Sequence, residues 1–266
     1  MKKKNYSTLF TLVLVSASTA SLSLLGGELE EGVDFWARLH RDTDLGRTIA
    51  LIAALTWTAY SWIGWMEQRT VVFAGFTLVG IGASTFYLVD AHLGFREASL
   101  IIPALLTLGY AFPLGLRQRK GLKIHLITTS WTWTVIALSP HLAERWWIHG
   151  LWMYALIFAM TIPFDLRDAH TDSFRFQTLP QAMGLTGAKW VAWGSVLFVE
   201  LTLLIQWGMG HWSGISALSI WALCEALSLV IWRINPKSPP HLFHFIDALP
   251  FITAGLNAGI FLILTL

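Results

Sequence analysis

The chain has 266 residues, 55% of them hydrophobic and only 13% charged, with a mean hydropathy of +0.58. That balance excludes a soluble globular domain and places the chain among polytopic membrane proteins. A net charge of +2 gives no basis for a nucleic-acid partner, and the single cysteine, Cys224, excludes an internal disulfide.

A helix that crosses a bilayer needs roughly 20 mostly apolar residues. Nine stretches meet that measure: 7–25, 46–65, 71–89, 99–115, 124–138, 146–163, 186–207, 212–232 and 246–265. The fifth is the shortest and is rich in Trp and Thr (Thr128-Thr129-Ser130-Trp131-Thr132-Trp133). No soluble domain or low-complexity linker interrupts them, so residues 1–266 read as one all-α membrane domain, a bundle of about nine transmembrane helices. The start, Met1-Lys2-Lys3-Lys4 followed by an apolar run and Ala17-Ser18-Thr19-Ala20, also fits a signal peptide, whose removal would leave eight spans.

Orientation follows from the basic residues. With the N-terminus inside, 13 of the 18 Lys and Arg fall on the cytoplasmic side. The acidic loop Gly27–Asp44 then lies outside, as a solvated segment. Trp146, Trp147, Trp207 and Trp212 are expected in one interfacial belt, and Trp65, Trp190 and Trp232 in the other.

Just past the sixth apolar run comes Thr161-Ile162-Pro163-Phe164-Asp165-Leu166-Arg167-Asp168-Ala169-His170-Thr171-Asp172. On a helix, Asp165, Asp168 and Asp172 stand at i, i+3 and i+7 and share a face. Like charges repel, and a cation offsets them. Few protein oxygens with room for water and phosphate suit Mg²⁺. The alternative is a solvated acidic cap between two spans.

The run R-D-x-x-T-D, followed after a short gap by T-L-P-x-x-x-G, resembles the second aspartate motif of UbiA-type membrane prenyltransferases. Arg167, Asp168, Thr171, Asp172, Thr178, Leu179 and Gly184 match it, with the gap before Thr178 one residue shorter than usual. The resemblance implies a nine-helix bundle, which favours a retained first helix. It also implies a Mg²⁺-dependent enzyme in the bacterial inner membrane. Such an enzyme transfers an isoprenoid group from a prenyl diphosphate to a membrane-soluble or aromatic acceptor. Asp168 and Asp172 would be the catalytic, metal-holding carboxylates, with Asp165 assisting.

The first aspartate motif of that family has no counterpart here. Its positions fall on Ser61, Trp62, Trp65 and Arg69, and Glu67 is the only acid nearby. Tyr110 to Arg117 resembles the family's tyrosine-to-basic segment. Arg117, Arg119, Lys120 and Lys123, joined by Arg167, would clamp the diphosphate; otherwise the loop lysines and arginines are ordinary positive-inside charges. Glu200, Glu225 and Asp247 fall within apolar runs, where carboxylates are costly and mark function by default. Asp247 is placed to border the cavity that holds Asp168, and with Glu67 is a candidate replacement for the missing acids. His241 and His244 are read as loop residues beside Pro239-Pro240, which argues against haem. The second functional reading is a non-catalytic isoprenoid- or lipid-binding protein that kept the fold and lost the first motif.

Overall fold

Inside a bilayer every backbone N–H and C=O must be paired within the protein, and a helix achieves this alone. The computed structural model describes residues 50–51, 54–59, 61–62, 71–90, 99–111, 121–138, 146–169, 178–212 and 214–265. Among the described residues all regular structure is helical. Helical residues within 50–62 are followed by α1 (Val71–Asp90), α2 (Ile101–Ala111), α3 (Leu122–Leu138), α4 (Trp146–Asp168), α5 (Leu179–Gly208), α6 (Gly214–Arg233) and α7 (Pro240–Thr265). Of these, α4, α5 and α6 are long and apolar enough to cross a membrane. The chain is an integral membrane protein. The expected first span, 7–25, lies outside the described residues.

Lipid is as apolar as leucine, so these helices associate through close packing rather than by escaping water. Small side chains make that possible. Ala159 on α4 and Ala188 and Ala192 on α5 are fully buried, and Trp152, Leu156, Ile162 and Leu166 continue the buried stripe of α4. Gly150 faces Ile136 of α3, and an added Cβ would press on that side chain. The ends of α4 are fixed by aromatic contacts. His149 and Trp152 pack on Trp212, which precedes α6, while Phe164 meets Phe243 at the start of α7. Thus the C-terminus of α4 and the N-terminus of α7 lie at one end of the bundle. Lys189, a third of the way along α5, donates to the Trp232 carbonyl at the end of α6.

Three expectations are corrected. The sixth helix continues past residue 163 to Asp168, with Pro163 inside it, because a proline costs only its own hydrogen bond where neighbouring helices hold the rest. Asp165 and Asp168 therefore sit on its last two turns. Likewise α7 begins at Pro240, so His241 and His244 are helical; proline at a helix start loses nothing that was bonded. Trp212 is buried at 4% exposure within the His149–Trp152 cluster instead of lying in a belt. Trp146, Trp147, Trp190, Trp207 and Trp232 are exposed.

The start of α5 explains the residues of T-L-P-x-x-x-G. Thr178 is the N-cap with an extended backbone, and its N–H donates to Gln181 Oε1 at 3.0 Å. Pro180 then fits the first turn, where no N–H is needed. Gly184 breaks the helix with φ 78° and ψ 166°, a region open essentially to glycine alone.

Candidate functional site

The carboxylate motif closes α4, where unpaired carbonyls give the helix terminus a partial negative charge and favour a cation. Asp165 faces α3. Lys123 Nζ lies 2.9 Å from Asp165 Oδ1, and both side chains are at least nine-tenths buried, at 9% and 2% exposure. Asp168, three residues on, is at the surface, and the adjacent Arg167 grips it in a two-point fork. Arg167 Nε donates to Oδ1 at 2.7 Å and its terminal nitrogen to Oδ2 at 3.2 Å. The same guanidinium lies 5.5 Å from the Phe164 ring centre and 5.0 Å from that of Phe243. Phe164 is three residues before Arg167, on its own helix face, while Phe243 reaches over from α7.

Asp247 follows Phe243 by one helical turn and shares its face. It is buried. The structure thus joins Arg167 to Asp168 and sets it over Phe243, one turn from Asp247, while joining Lys123 and Asp165 to each other. Asp172, Arg117, Arg119, Lys120 and Glu67 lie outside the described residues. Gln181 Nε2 donates to the Ala169 carbonyl at 3.2 Å, tying the end of α4 to the start of α5. The two flanks of the 170–177 segment, which carries Asp172, are pinned together.

A cavity of about 410 Å³ opens among the 50–62 helical residues, α1, α2 and α3. Trp62, Ile81, Ala104, Tyr110, Leu126 and Trp131 line it, with threonine hydroxyls between them. Its size and apolar walls fall in the range of small-molecule sites. Leu126 is within one turn of Lys123, so the cavity begins near the end of the bundle that carries the carboxylates. Tyr110 is buried in its wall. Ser61, at a first-motif position, is also buried, and Trp62, at another, lines the cavity.

Sequence reasoning missed the aromatic cage of Arg167 and the Lys123–Asp165 pairing. The first had a trace in the Phe164/Arg167 spacing; the second needed the register of α3 against α4.

Known structures show the same arrangement of helices. An apo UbiA homologue from Aeropyrum pernix K1 superposes with a TM-score of 0.69 at 12% identity, covering 94% of this chain and 97% of the other. This is the UbiA fold. A UbiA homologue from Archaeoglobus fulgidus bound to GPP and Mg²⁺ gives a TM-score of 0.67 at 12% identity, covering 93% and 96%. A structure concerning digeranylgeranylglyceryl phosphate synthase in membranes gives 0.60 at 12% identity, covering 96% and 98%. No protein-family model and no curated protein matches the sequence. At such identities the likeness is one of UbiA fold, and what this chain does must be argued from its own residues.

Proposed function

We propose that this protein transfers an isoprenoid group from a prenyl diphosphate to a membrane-soluble or aromatic acceptor, with Mg²⁺ as cofactor. The observation that carries the reading is the Arg167–Asp168 fork at the C-terminal end of α4 in a bundle of UbiA fold, which also holds an apolar cavity. A structure of that fold is bound to GPP and Mg²⁺. The donor set fits the ion: carboxylate oxygens at a helix C-terminus are hard ligands in a negative local field. Asp168 and Asp172 would hold Mg²⁺, which when bound supplies charge neutralisation of the diphosphate leaving group. Arg117, Arg119 and Lys120 would add cationic contacts to the same group. Lys123 and Asp165 neutralise each other, and we leave both out of the ligand set. The isoprenoid tail would occupy the cavity, where Trp62, Tyr110 and Trp131 offer aromatic faces to an allylic cation. The site would face the cytoplasm of a bacterial inner membrane, with the N-terminus inside and residues 1–266 forming one domain.

A second reading rests on one observation. The first-motif positions Ser61 and Trp62 carry no acid, which favours an isoprenoid-binding protein without turnover. The test is to incubate membranes containing the protein with Mg²⁺ and labelled geranyl diphosphate. Diphosphate release with a lipid-soluble labelled product supports the enzyme. Donor binding without release supports the second reading, and neither binding nor release overturns both.

A further inference from the structure

Both oxygens of Asp168 are engaged by Arg167, so a cation that takes the same lone pairs displaces that guanidinium. Its surroundings define where it can go. Phe164 and Phe243 flank it at 5.5 and 5.0 Å, and their rings are 5.7 Å apart. An arginine keeps favourable cation–π contact while sliding across such faces, so the charge never has to cross bare lipid. One turn further along the Phe243 face stands Asp247, a carboxylate buried inside a membrane bundle. Burying such a group is costly unless a counter-charge can reach it, and the Arg167 guanidinium stands over Phe243, one turn back on the same helix. Lys123 is paired with Asp165.

We propose that Arg167 is a two-position latch, closed on Asp168 in the absence of a divalent cation and transferred to Asp247 when a cation binds Asp168. Asp247 is then a positioning residue that acts through Arg167. It lets one basic residue guard the carboxylate when the site is empty and withdraw when it fills. This inference rests on the reading of Asp168 as a metal ligand. It also assigns a use to an acid that the second-motif resemblance leaves unexplained.

The test uses the purified full-length protein in detergent with Mn²⁺ alone, a paramagnetic stand-in for Mg²⁺, counted by electron paramagnetic resonance. Arg167→Gln frees Asp168 and should tighten Mn²⁺ binding about two- to fivefold, the range for a partly exposed ion pair. Asp247→Asn removes the alternative position and should weaken Mn²⁺ binding about fivefold, the low end of coupling between linked sites. The double variant should match Arg167→Gln, since without the guanidinium Asp247 has nothing to receive. A purely structural Asp247 would weaken binding by the same factor in both backgrounds, and that result overturns the latch. So does an Asp247→Asn protein indistinguishable from wild type. Should Asp247→Asn fail to fold, Arg167→Gln still decides: unchanged or weaker Mn²⁺ binding refutes the latch. Mg²⁺-dependent binding of geranyl diphosphate to wild type is measured in parallel. Donor binding with no Asp247 effect overturns the latch alone, whereas no Mn²⁺ or donor binding in any variant overturns the metal reading as well.

Discussion

The Lys123–Asp165 pair offers a direct test of how α3 is fastened to α4. Both side chains are at least nine-tenths buried at a separation of 2.9 Å, so solvent screening removes little of their interaction. Neutralising one partner strands the other charge inside the bundle, at a cost of about 3–5 kcal/mol. Asp165→Asn and Lys123→Met should each destabilise by that amount. Lys123→Met with Asp165→Leu replaces the pair with apolar groups of similar size and should fall within about 1 kcal/mol of wild type, or above it. Unfolding in mixed micelles with rising SDS fraction, followed by circular dichroism, gives the four stabilities. The double variant should also bind Mn²⁺ as wild type does, since the proposed ligand set leaves Asp165 to Lys123. A loss below about 1 kcal/mol in Asp165→Asn would show the pair to be solvated, as surface pairs are, and refute the reasoning. Loss of Mn²⁺ binding in a stable double variant would return Asp165 to the metal site.

Gly184→Ala should destabilise by about 1–3 kcal/mol through backbone strain alone, since its φ is 78° and an added Cβ meets nothing within 4 Å. Gly194→Ala, in ordinary helix with equal space, should instead be neutral or stabilising by up to about 1 kcal/mol, and the same micelle titration separates the two. Ala104→Phe places a ring in the cavity and should weaken binding of geranyl diphosphate while sparing inorganic diphosphate. Isothermal titration with both ligands checks this, and equal losses would move the tail elsewhere.

The spans at α4, α5 and α6 were legible in the sequence because bilayer thickness imposes a length that apolar runs must meet. Helix ends were less so. The sixth run is read only to 163 and Pro240 as loop, yet a missing N–H is cheap when packed neighbours or a first turn make it redundant. The aspartates were found by spacing, and spacing could not separate their roles. Asp165 and Asp168 are three residues apart, but that rotation about the axis turns one toward Lys123 in the bundle and the other toward the surface. Asp247 was legible as an acid in an apolar run. Its place one turn from the ring under Arg167 depends on Phe243 packing against Phe164, a long-range contact with no local trace. Gly184 was matched as one residue of a resemblance, and its cause, a backbone angle, appears only in three dimensions.

The central claim is that Asp168 and Asp172 hold a divalent cation against a prenyl diphosphate. It is tested most directly by the affinity of geranyl diphosphate for purified wild type, Asp168→Asn and Asp172→Asn, each with Mg²⁺ and with EDTA. Asparagine keeps the size and removes the charge, so each change should cost about 1–3 kcal/mol of the Mg²⁺-dependent binding and leave the EDTA baseline untouched. Wild-type affinity in both variants, with Mg²⁺ still required, would take the two aspartates out of the site and contradict the claim.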